Sequence, residues 1–316
     1  MKYFNSYVTS FVILCILFGT NLYFYVSEEP GLAHAYNFCL ITIFIYLTIS
    51  WFEKPSIGKT IVIGFIFGLI SLIRPVNVIV GLFFILWNVK SFDDLKERFI
   101  FILRNWWLIA IMLLFCMLVW APQLLYWKSI TGHFWYYSYG KERFFFNHPP
   151  HIIDGLFSYR KGWLLYSPIM ILSLIGIPLL WLKKKEFFFP VLITLIVFLY
   201  VVFSWWCWWY GGTFGMRVMI DLLGMLAIPL GLVLAEASKL KNLWKYSIYS
   251  LSALLLIIGI FHFEKYLHQS IHFDGMNKEA FWDSYFRITP SPTFWGKLNH
   301  YDYELAKKGV YVIEKY

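Results

Sequence analysis

The chain has 316 residues, of which 60% are hydrophobic, 22% aromatic and only 14% charged, with a mean hydropathy of +0.63. A soluble domain carries about a quarter charged residues, so this composition excludes an ordinary globular protein and points to a polytopic membrane protein. The formal net charge of +9 is then an orientation signal and a contact for lipid headgroups, not a nucleic-acid footprint.

In chain order, apolar runs long enough to cross a bilayer occupy 7–26, 34–52, 106–127, 163–182, 187–204, 218–236 and 246–264. The first, "MKYFNSYVTSFVILCILF", has no clear small-residue cleavage site and reads as a span, not a signal peptide. The run 60–89 is too long for one crossing: a single helix would extend roughly 45 Å through a hydrocarbon layer of about 30 Å. It also holds "IRPVN" at its centre. A proline there clashes with the carbonyl four residues back, and an arginine would sit at mid-membrane. Two short helices meeting at Arg74–Pro75 remove both conflicts.

Loop charge tests that choice. With a hairpin at 60–89 and the N-terminus inside, Lys54, Lys59, Lys90, Lys96, Arg98, Arg104, Lys183–Lys185, Lys239, Lys241 and Lys245 share one side. The loop "SEEPGLA" on the other side has no cation, as the positive-inside bias requires. The expected architecture is therefore all-α, with about nine transmembrane helices in a domain over 1–264 and a small extracytoplasmic segment over 265–316. The N-terminus is cytoplasmic, the C-terminus lies outside, and the location is a cytoplasmic (inner) membrane. "SFDDLKERFIFILRNWW" reads as an interfacial amphipathic helix. The aromatic tail of mixed charge reads as ordered and docked.

This topology gathers "SEEPGLAHAYN", the Arg74–Asn77 tip, loop 128–162 and "WWCWWYGGTFGMR" on the outer face. An arginine at a helix break in an apolar run is a functional candidate, and its guanidinium suits a lipid phosphate; the competing account is snorkelling to headgroups. Loop 128–162 mixes Lys141, Arg143, Arg160 and Lys161 with Glu142, Asp154, two histidines and many aromatics. That combination fits an anionic lipid-linked sugar, with cations on phosphate and flat rings on the sugar face. A headgroup-contacting loop would look similar. The tryptophans at 205–209 are expected in the interfacial belt. Belt anchoring does not require three glycines in "GGTFG", nor Arg217 followed four residues later by Asp221, a spacing at which the two pair on one face of an α-helix.

The four cysteines lie in or beside apolar runs and suggest no disulfide framework. His148 and His151 flank two prolines, which takes helical ligand spacing from them, and His268 with His272 lacks a third ligand. No metal site is expected, and a divalent ion has no support. There is no Walker loop, H-E-x-x-H, nucleophile elbow or dinucleotide fingerprint.

"GFIFGLISLIRPVN", "KGWLLYSPIMILSLIGIPLL" and "WWYGGTFGMRVMIDLLGMLAIPL" occur in the order seen in GT-C-type bacterial membrane glycosyltransferases. "FGTNLYFYVSEEPGLAHAYNF" is similar to the middle of such proteins, and the resemblance covers about 11–285. The group includes protein O-mannosyltransferases and the aminoarabinose transferase. The resemblance implies transfer of a sugar from a polyprenyl-phosphate donor to a glycan, lipid or protein acceptor at the outer membrane face. A carboxylate base would activate the acceptor hydroxyl. Carried onto this chain, Arg74, Arg160, Lys161 and Arg217 become candidates for phosphate contact. Asn77 belongs with the Arg74 tip, and Tyr159 and Tyr210 line the sugar or lipid pocket. The family's acidic motif lies in a large first outer loop that this sequence does not show. The chain is therefore expected to be a shortened form, with Glu28, Glu29, Glu142 and Asp221 as the only outer-face substitutes. The alternative is a non-enzymatic membrane protein handling lipid-linked glycans, such as a flippase or an export or assembly component.

Overall fold

The computed structural model describes residues 3–311. Its helices are α1 (Ser6–Phe18), α2 (Leu22–Ser27), α3 (Ala33–Glu53), α4 (Ile57–Ile73), α5 (Gly81–Leu86), α6 (Phe92–Arg104), α7 (Trp106–Thr131) and α8 (Ile152–Phe157). They continue with α9 (Trp163–Tyr166), α10 (Met170–Lys183), α11 (Lys185–Phe203), α12 (Leu223–Ala237) and α13 (Asn242–Leu267). Three short helices close the chain: α14 (Lys278–Asp283), α15 (Phe294–Lys297) and α16 (Tyr303–Lys307). Among the described residues there is no strand, only an isolated bridge between Phe144 and Trp205. The protein is all-α, and among the described residues five helical segments are long and apolar enough to cross a membrane. Shorter apolar helices, such as α1 and α4, accompany them.

The chain packs into two compact units. One takes the residues up to Ala35, Glu142–Leu179 and everything from Leu199 onward; the other takes Tyr36–Lys141 and Leu180–Phe198. These units follow packing, whereas the expected boundary at 264/265 follows position relative to a membrane.

In the unit built on Tyr36–Lys141, α4 lies against α7 because Gly64 and Gly68 lack side chains. A Cβ on Gly64 would stand 2.3 Å from the Met112 carbonyl oxygen, and one on Gly68 would stand 2.9 Å from the Val119 Cβ. Two glycines four apart on one helical face allow this approach, as in other apolar helix pairs. The Trp120 indole donates to Ser71 Oγ across the same contact at 2.9 Å. Helix α4 ends where the sequence demands. Arg74 is extended (φ −145°, ψ 105°), as the residue before a proline must be, and Pro75 opens a 3-10 helix over Pro75–Val80. The amphipathic α6 is capped by Ser91, which accepts from the Asp94 amide at 3.1 Å, and none of its residues is buried.

In the other unit, the 3-10 helix Arg217–Leu222 and α12 form the most buried of the five long apolar segments, with 78% of its window inside. Gly176 meets the Pro229 carbonyl on α12, and Ser173 Oγ donates to Leu226 O at 2.7 Å. The expected first span is broken between α1 and α2. Gly19 sits against Gly259 of α13, and Thr20 Oγ1 turns back to Ile16 O at 2.7 Å, ending the helix. The described part of the tail is ordered, with Met276, Ala280, Phe281 and Phe294 buried.

Candidate functional site

The segment after α11 cannot continue as a helix. Tyr210, Gly211 and Gly215 all have positive φ (58°, 73° and 58°). Glycine adopts that region without a Cβ clash; Tyr210 is held there by its hydroxyl, which reaches back to Val202 O at 2.8 Å. The tryptophans before it depart from the belt expectation. Trp206, Trp208 and Trp209 are buried inside the protein. Trp208 stacks on His151, and Trp209 meets Tyr303 edge-on. A tryptophan facing lipid and one facing a protein interior have the same sequence signature, so composition alone does not separate them.

The turn Thr213–Phe214 is where distant segments meet. Asn21 Nδ2 and the Tyr25 hydroxyl both donate to the Phe214 carbonyl, at 3.2 and 2.9 Å. The buried Lys161 ammonium donates to the Thr213 carbonyl. His34 Nδ1 lies 2.9 Å from Asp221 Oδ1, with both residues buried, and the Tyr25 ring meets His34 edge-on. Three stretches far apart in sequence, around residues 21–34, 161–166 and 210–221, thus meet in the interior.

Asp221 pairs with His34, and the geometry expected for Arg217 with Asp221 is absent. Residues Arg217–Leu222 wind as a 3-10 helix, in which positions three apart eclipse and positions four apart leave the common face. Arg217 is half-buried; its Nε is enclosed and makes no hydrogen bond among the described residues. One oxygen of Glu29 is in the same condition.

Arg160 and Lys161 point inward. The Arg160 guanidinium lies between the rings of Trp209 and Tyr301, 3.6 and 3.5 Å from their centroids, and pairs with Asp274 at 2.8 Å. A planar cation between two faces, with a carboxylate at its edge, is an interaction that lysine does not reproduce. Asp274 is set in turn by His272, whose Nδ1 accepts from the Asp274 and Gly275 amides at 3.2 and 2.8 Å. Burial lowers the His272 pKa, which keeps that nitrogen an acceptor. Burial also pushes the Lys161 ammonium down to about 7, assisted by the nearby Arg160 and Arg217 and opposed by Asp274.

The same unit contains a cleft of about 130 Å³ lined by His151, Asp154, Trp208, Trp209, Tyr301 and Tyr311, beside one of about 390 Å³ that shares His151, Asp154 and Tyr311. His151 Nδ1 lies 2.8 Å from Asp154 Oδ2. His151 caps α8 and Asp154 sits in its first turn, so three-residue spacing brings them together.

The other candidates are dispersed. Arg74 and Asn77 belong to the unit built on Tyr36–Lys141, where Arg74 is half-buried, Asn77 is fully buried and the Asn77 amide bonds to Arg74 O at 2.9 Å. Glu28 is exposed beyond α2, and Glu142 is half-buried. Tyr159 accepts from the Tyr166 hydroxyl and the Trp282 indole. Among the described residues no three His, Cys, Asp or Glu side chains gather where a metal ion could be held. Sequence reading missed His34, Asn21, Tyr25 and Asp274, and the pairing of His151 with Asp154. The four-residue spacing of Asn21 and Tyr25 and the lone histidine opening an apolar run were the available signals.

No protein-family model, curated protein or solved structure matches this chain.

Proposed function

We propose that this protein is a GT-C-type membrane glycosyltransferase, which moves a sugar from a polyprenyl-phosphate carrier to an acceptor at the outer face of a cytoplasmic membrane. The observation that carries the reading is the meeting of residues 21–34, Lys161 and Thr213–Asp221 at one turn. These segments resemble the family in sequence, and their contact gives the resemblance a physical reason. The five long apolar segments, with the shorter α1, α4, Pro75–Leu86 and α10, are compatible with nine crossings; the cytoplasmic N-terminus rests on loop charge alone.

In this reading Arg217 takes the donor phosphate. Its guanidinium sits beside the glycine turn, with a Cβ on Gly211 coming no nearer than 3.9 Å to it, and its side chain is not engaged as those of Arg160 and Lys161 are. Arg160 and Lys161 act from behind: they hold Trp209 and the Thr213 carbonyl, and so fix the turn that presents Arg217. Charge building on the departing phosphate is stabilised by a preorganised cation, and this lowers the barrier more than ground-state binding does.

The test is turnover by purified protein in lipid vesicles supplied with undecaprenyl-phosphate-linked sugars and a cell-envelope extract as acceptor source. Release of undecaprenyl phosphate is expected from the wild type, with a loss of about 100-fold or more in Arg217→Ala. Binding of the lipid-linked sugar without any release would instead favour the non-enzymatic reading, to which the inward engagement of Arg160 and Lys161 lends itself.

A further inference from the structure

We infer that His151 and Asp154 form the proton-accepting pair for the acceptor hydroxyl, in a cleft that receives a sugar ring or another hydroxylated acceptor. The inference rests on the glycosyl-transfer reading and names a proton acceptor for it.

Four observations carry it. First, the pair faces a cleft: His151 and Asp154 line both adjoining spaces, and their side chains are 24% and 31% exposed. Second, the hydrogen bond orients the imidazole. Asp154 accepts a hydrogen bond from Nδ1–H at 2.8 Å, which leaves the lone pair on Nε2. Third, the ring is fixed by neighbours, stacked against Trp208 at 21° and met edge-on by Tyr311 at 4.3 Å between centroids. Fourth, the half-buried rings of Tyr301 and Tyr311 form part of the wall, which suits the apolar face of a pyranose. The cleft is also joined to the polar cluster through the chain itself. Arg160 lines it while Lys161 bonds Thr213, and Trp209 lines it two residues before Gly211.

The step balances with the donor already named. His151 Nε2 takes the hydroxyl proton as the acceptor oxygen forms its bond to the anomeric carbon. The bond from that carbon to the phosphate oxygen breaks, and the lipid phosphate leaves with the electron pair. The resulting imidazolium is held by Asp154, which stays ionised throughout. Arg160, Tyr301, Asp302 and Tyr311 are the other ionisable groups lining the cleft, and His148 lines the neighbouring space.

The experiment is the vesicle assay with His151→Gln and Asp154→Asn, each checked for folding by size-exclusion profile and lipid-linked-sugar binding. His151→Gln is expected to lower kcat at least 100-fold with the donor KM unchanged, and to abolish the acid limb of the pH–rate profile. Asp154→Asn removes the charge that favours the imidazolium, so its acid limb should move to lower pH with a smaller loss in kcat. Undiminished turnover in His151→Gln, or an acid limb unmoved in Asp154→Asn, would overturn the pair's role and leave the transfer reading standing. A folded wild type that releases no lipid phosphate overturns the transfer reading and the pair's role with it.

Discussion

His34–Asp221 and His151–Asp154 are the same two functional groups at nearly the same separation, 2.9 and 2.8 Å, in opposite surroundings. The first is sealed, with side chains 7% and 0% exposed, and ties α3 to the 3-10 helix before α12 across 187 residues of chain. The second is local, three residues apart, and opens on a cleft. A sealed pair cannot pass a proton to a ligand, and its loss leaves an uncompensated polar group inside the protein. An open pair contributes little to stability because water screens it, yet it can reach substrate. Position, not chemistry, divides the two roles.

The largest expected effect separates them directly. Asp221→Ala should destabilise the folded state by about 3 kcal/mol or more, because His34 is then buried beside a void. Asp154→Asn should cost under about 1 kcal/mol. Thermal unfolding of both variants in detergent reads the difference, and equal losses would remove the distinction.

A smaller effect concerns the lysine that bonds the Thr213 carbonyl. Lys161 has an ordinary value of 10.5 when exposed and about 7 when folded. The unfolded chain therefore binds this proton first as pH falls, and stability should decline between about pH 10 and pH 7 and level off below. Lys161→Met should remove that part of the slope, which unfolding midpoints measured across the range would show. A slope unchanged by the substitution would place the protonation elsewhere.

The break at Arg74–Pro75 was legible in the sequence because proline's geometry is local: it forbids the helix and forces its predecessor to extend. The long apolar helices and the amphipathic α6 were legible for the same reason, since periodicity and length are local properties. The GGTFG turn was legible as a place of positive φ. Its partners were not, because Asn21, Tyr25 and His34 reach it across nearly two hundred residues and nothing in their spacing encodes that. Arg217 and Asp221 show the opposite error. Their four-residue spacing was read on an α-helix, and the chain there winds more tightly, so Asp221 found His34. Arg160 and Lys161 are expected from the sequence as cations of the outer loop that contact phosphate. The tail covers them instead, with Asp274 and Tyr301 closing over the guanidinium.

The central claim is that the glycine turn presents Arg217 to a lipid phosphate. Titration of the folded protein with undecaprenyl phosphate tests it most directly, comparing the wild type with Arg217→Ala by native mass spectrometry. The account predicts saturable binding by the wild type and at least tenfold weaker binding by the variant, the loss of one charge-assisted contact to phosphate. Equal affinity in the two proteins would contradict it.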